Sequence, residues 1–253
     1  MAASLCTKNP ATRAQVEAIP TPAATESYQP VSYKDFLELL EDVFNQHGMF
    51  IDSERYGLSN EGNQLFGVWT LMDEDGNPIM ASDGKTQMAV GFRTSHDKTL
   101  PCGIVTGGNV FVCDNMMFNG ADDQVVRKHT KNVLRDLQAK IEMAASNARP
   151  SFARITAEVE ALRNVELTDR DFYYFLADLL RTDAINRNLF GKAASLWAKP
   201  PHDEFKGRDL YCAYNAVNEA LKVSQARDMA GRHFGLHSMA LKWAEENTPV
   251  ATA

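Results

Sequence analysis

The stretch TQMAVGFRT alternates with a period of two. Met88, Val90 and Phe92 on one parity are apolar and bulky; Ala89, Gly91 and Arg93 on the other are small or polar. That period puts successive side chains on opposite faces of a strand. Upstream, QLFGVWTLM also reads as a strand; DEDGN follows it, and its Asp75-Gly76 pair is a strong turn signal. A second turn is expected at SDGK. PCGIVTGGNVFVCDN reads as a hairpin turning at Gly107-Gly108-Asn109. The connections are too short for helical crossovers, so four or five antiparallel strands are expected over about 65–118.

Elsewhere the spacing is helical. Phe36, Leu40, Val43 and Phe44 recur on one face, Ser32 is the expected cap and Gly48 the expected end. After Asp122 the pattern is helix almost to the end. One helix is predicted over about 123–147, interrupted by Arg149-Pro150, with others near 151–163, 168–190 and 206–247. The last should break near Gly231 and Gly235. Strands followed by helices predict the α+β class, with one helix before the sheet and a mostly helical C-terminal half. Residues 1–30 hold Pro10, Pro20, Pro22 and Pro30 among Ala and Thr, and are expected to form a disordered arm. Residues 31–247 are expected to form a single domain, with a sheet region at 50–120 and a helical region at 122–247.

Composition narrows this little. The 253 residues are 44% hydrophobic and 23% charged, as in ordinary globular proteins. A net charge of −7 means that any contact with a polyanion must be local. The four cysteines form no CxxC pair, which suits a reducing compartment, and no apolar run is long enough to span a bilayer. A cytoplasmic protein is expected.

Several motifs fail on spacing. Gly84-Lys85-Thr86 has Ile79 where a phosphate loop needs glycine. Asp73–Asn77 resembles a calcium loop fragment without its closing glutamate. His96, Asp97, Asp114 and His129 carry side chains suited to metal binding or acid–base work, with Cys113 nearby, but no pair has a recognised zinc spacing. His96 and Asp97 are adjacent, so on a strand they would point apart. No cofactor motif is present.

The predicted helix after the sheet carries Val126, Val133, Leu137, Ile141 and Ala144 on one stripe. Arg127, Lys128, Lys131 and Arg135 fall on the other side. From Arg127 to Lys140 there are five basic residues and one acid. With Arg93 and Lys98 at the strand ends, this stripe suits phosphates, and Trp69 or Phe92 could stack on unpaired bases. In Phe172-Tyr173-Tyr174-Phe175, four consecutive aromatics cannot all face inward. At least one should lie at a surface or an oligomer contact.

GFRTSHDKTLPCGIVTGGNVFVCDNMMFNG, RKHT at Arg127–Thr130 and LYCAYNAVNEALK at Leu210–Lys222 resemble the phage/plasmid-like proteins of unknown function, over roughly residues 31–245. The resemblance implies a mobile-element setting and supplies no catalytic residues. A small sheet followed by a basic helix is also similar in architecture to single-strand annealing proteins of the RecT and Erf kind. The leading expectation is a bacteriophage single-stranded DNA-binding protein acting in replication, recombination or transcription. Its phosphate contacts would be Arg93, Lys98, Arg127, Lys128, Lys131 and Arg135. The alternatives are an adaptor binding a phage or host protein such as a polymerase or a defence factor, and a metal-assisted enzyme acting on nucleic acid or nucleotides through His96, Asp97, Asp114 and His129. A homo-oligomer fits any of these readings.

Overall fold

The computed structural model describes residues 9–26, 28–81, 84, 86–110, 115–118, 124–127, 133–222 and 226–247. The chain divides into two compact units. The first comprises Met1–Asn109 and Asp122–Phe152, the second Val110–Ala121 and Ala153–Ala253. The α+β class holds, with a mostly helical C-terminal half.

In the first unit, β1 (Asn9–Ala11), β2 (Phe50–Ser59), β3 (Gln64–Met72), β4 (Thr86–Ser95) and β5 (Cys102–Val110) follow one another across an antiparallel sheet. β7 (Gln124–Arg127) pairs with β5, Cys102 opposite Arg127. Trp69 stands opposite Val90 and Tyr56 opposite Gly67, so one face carries Tyr56, Leu65, Trp69, Leu71, Met88, Val90 and Phe92. That face is packed by α2 (Tyr33–Gln46) and by the first part of α3 (Val133–Arg163), through Phe36, Leu40, Val133, Leu137 and Ile141. Ser32 caps α2, its hydroxyl accepting from the Asp35 amide at 2.9 Å. Gly48 leaves the helix at φ +66°, a conformation that costs glycine nothing. Asp73 accepts from the amides of Asp75 and Asn77, with Gly76 at φ +79°. This sequence is therefore a surface turn. Gly67 is required for another reason: a Cβ there would lie 2.2 Å from the Phe92 ring.

The structure departs from the sequence reading in several places. Residues 9–26 are not a disordered arm. β1 pairs with β2, α1 (Arg13–Glu17) buries Val16, and Arg13 bridges Glu17, Glu41 and Glu54 at 2.8, 2.6 and 3.6 Å. Gly107-Gly108-Asn109 is not a turn, because β5 runs through it; the connection between β4 and β5 is the SHDKTLP segment instead. Gln124–Arg127 is a strand, not the first turn of a helix: adjacent Val125 and Val126 suit a sheet, and β5 offers a partner. Val126 therefore leaves the predicted stripe, whose other members pack as expected. Pro150 lies inside α3 without ending it. Ala148 and Phe152 on either side are buried, and that packing offsets the lost helical bond.

The second unit contains the rest of α3, β6 (Asn115–Phe118), α4 (Asp169–Arg181), α5 (Arg187–Ala198), a short 3-10 turn at Asp203–Phe205, α6 (Leu210–Leu221) and α7 (Ala226–Asn247). α6 is its central helix, with all but Glu219 of its residues buried. Trp197 lies flat on Phe172, ring centroids 4.4 Å apart, and donates to Asp169 at 2.8 Å. α7 also departs from the reading, continuing through Gly231 and Gly235. A Cβ on Gly235 would come within 2.8 Å of the Ala184 Cβ, so this glycine permits a close approach.

Candidate functional site

The SHDK segment is built into the first unit. His96 is 4% exposed and stacks on Tyr33, centroids 3.9 Å apart and planes 12° from parallel. Its Nε2 lies 3.0 Å from the Val31 carbonyl, which only an N–H can satisfy, so Nδ1 is the bare nitrogen. Among the described residues nothing partners that nitrogen. Burial lowers the pKa of the ring, against the Val31 bond and Asp97. Tyr28 donates to the His96 carbonyl at 3.1 Å. Lys98, at φ +68°, holds its ammonium 4.8 Å from the centre of the Tyr28 ring.

Asp97 points elsewhere. One carboxylate oxygen accepts from Asn60 at 2.7 Å and Gln64 at 3.1 Å; the other accepts from the amide and hydroxyl of Thr99. Burial alone would raise its pKa. The Thr99 hydroxyl and amide and the Asn60 amide outweigh that and hold it at about 2. His96 and Asp97 thus fasten a turn, as adjacent residues pointing apart. Asp114 and His129, the other members of the expected metal or acid–base set, lie outside the described residues. Among the described residues no three His, Cys, Asp or Glu side chains gather as metal ligands. Cys102 is buried in the core, where burial pushes its thiol up to about 11, far from a reactive thiolate.

The expected stacking residues are core residues. Trp69 is fully buried and donates to the Tyr56 hydroxyl at 3.0 Å; Phe92 is 5% exposed and packs edge-on against Trp69 and Phe36. Neither ring face is free for a base. The expected basic helix face also divides. Arg127 is on β7 and Arg135 near the start of α3, while Lys128 and Lys131 lie outside the described residues.

Arg93 differs from all of these. It projects from β4 on the face opposite the core, directly across from Phe66. Both side chains are half-buried. Burial alone lowers the Arg93 pKa, and among the described residues no acid pairs with it. The same face carries Arg55, opposite Val68, and Gly91. Val68, Thr70, Gln87 and Ala89 are buried on this face yet belong to neither hydrophobic core. At its other end, Asp52 accepts from Thr70 at 3.2 Å and Gln87 at 2.9 Å. A desolvated guanidinium without a counter-charge is a strong recognition group for an anion. Arg55 escaped the sequence reading because β2 did; the alternation of Ser53, Arg55 and Gly57 before the Asn60–Asn63 turn is the signal that marks it.

A family model described as a domain of unknown function, DUF932, matches residues 23–236. No curated protein and no solved structure matches the chain. Among the described residues no helix is long and apolar enough to cross a membrane.

Proposed function

The chain belongs to the DUF932 family of unknown function, and we propose that it is a single-stranded DNA-binding protein of a phage or plasmid, acting in the host cytoplasm in replication, recombination or transcription. One observation supports the reading: Arg93 is half-buried and, among the described residues, has no acid partner. Its guanidinium would hold a phosphate, Arg55 would offer a second cation, and the half-buried Phe66 ring beside Arg93 would take a base face. Stacking of this kind is tolerant of sequence. His96 and Asp97 are committed to holding the turn, which speaks against the enzyme alternative.

The test is fluorescence anisotropy with labelled single-stranded and duplex DNA at about 50 mM salt. Binding to the single strand is expected, weakened roughly tenfold by Arg93→Ala, as loss of a charge-assisted contact implies. Arg93→Lys should recover part of it. Absence of binding by the wild type, or unchanged binding by Arg93→Ala, refutes the proposal.

A further inference from the structure

The sheet of the first unit ends on β1, and β1 is a slight strand for that position. It has three residues, two of them exposed, and Pro10 at its centre stands opposite Gly57. β2 beside it runs for ten residues. Proline offers no N–H, so β1 blunts an edge that β2 would otherwise present to another strand. α1 follows at once. Thr12 caps it in a reciprocal pair with Gln15. Val16 is fully buried, and Ala11 and Ile19 are partly buried against the same core. Beyond Ile19, residues 20–26 are exposed throughout and include Pro20 and Pro22. Residues 9–19 are thus a small folded piece on an exposed linker, docked with one fully buried side chain.

Charge says what its seat accepts. Arg13 is the sole cation of residues 9–19. The seat supplies two carboxylates to it, Glu41 on α2 at 2.6 Å and Glu54 on β2 at 3.6 Å. Tyr56 donates to Glu54 at 2.7 Å and so fixes that acid at the edge of the sheet. An acidic seat beside a strand edge selects an extended segment with a cation at this register and an apolar side chain three residues on, which describes Arg13 and Val16. We propose that residues 9–19 are a detachable strap, and that the seat on β2, Glu41 and Glu54 takes the strap of a second copy as well as its own. The contacts are the same in both cases, which is the basis of exchange between copies. So little buried surface puts the strap among the first parts of a fold to open. The inference does not rest on the DNA-binding reading.

Hydrogen exchange of the full chain, read by mass spectrometry, tests detachment. The amides of residues 9–19 should exchange at least roughly tenfold faster than those of β3 and β4. They should exchange faster again in Arg13→Glu, which sets like charges against Glu41 and Glu54. Thr12→Ala removes the cap of α1 without changing charge and should act in the same direction. A fluorescein-labelled peptide of residues 9–26 stands for the strap of a second copy. It should bind the Arg13→Glu chain roughly tenfold more tightly than the wild type, whose own tethered strap competes for the seat. The same peptide carrying Arg13→Glu should not bind. Circular dichroism checks that each variant is folded. A strap protected as well as β3 and β4, a folded Arg13→Glu chain that takes up no peptide, or equal uptake of both peptides would each overturn the proposal.

Discussion

A carboxylate that accepts from three side chains and a backbone amide resists protonation, and Asp97 does so at the turn joining β4 to β5. Its folded pKa, about 2, lies below the ordinary aspartate value of ~3.9. The stability it contributes is therefore complete above that ordinary value and is lost as pH falls toward about 2. His96 has a depressed pKa too, so its contribution is present above ~6.5 and is lost as pH falls below that. Acid denaturation followed by circular dichroism should show both: Asp97→Asn removes the lower window and His96→Gln the upper. A wild-type pH profile unchanged by either replacement would contradict these roles. Gly67→Ala should cost more than either, because the added methyl meets the Phe92 ring in a packed aromatic cluster. A loss of about 1–3 kcal/mol is expected in urea denaturation. At this scale the sequence reading placed Arg93 on the parity opposite Met88, Val90 and Phe92, and the register of β4 agrees. It chose Trp69 and Phe92 for stacking on residue type, although alternation places both on the apolar parity that the core takes.

Elements were legible where local chemistry agreed with packing. The Ser32 cap, the Gly48 exit, the Asp75-Gly76 turn and the alternation of β4 all did so. Misreadings fell where a distant partner decides. QVVR is a strand because β5 lies beside it, and its Val125-Val126 pair is a weak local signal inside a basic, helix-compatible run. Pro150 stays helical because both flanks are buried. Two glycines of α7 separate propensity from packing. Gly231 has open space around its Cβ position, whereas Gly235 sits against Ala184. Gly231→Ala should stabilise the protein by about 0.5–1 kcal/mol, the helical advantage of alanine. At Gly235 the added methyl must displace Ala184, whose backbone is only 3.4 Å away, and overpacking of about 1–3 kcal/mol outweighs that advantage. Opposite shifts in melting temperature are expected, and a stabilising Gly235→Ala would show that α7 moves freely at this point.

For the whole molecule, charge sets the terms of any DNA contact. A chain of net charge −7 and pI about 5.4 repels a polyanion at long range, so binding must rest on a few close cations. Each phosphate neutralised on a single strand contributes about −0.7 to the slope of log affinity against log salt. Arg93 and Arg55 acting together predict a slope of roughly −1.4, whereas the six cations first expected from the sequence would give roughly −4. Anisotropy titrations from about 50 to 200 mM salt separate these outcomes. The shallow slope, flattened further by Arg93→Ala, is the expected result. A slope near the steeper value that Arg93→Ala leaves unchanged would move the interface to the basic run at 127–135. It would also mean that the desolvated arginine on β4 serves the sheet rather than a ligand.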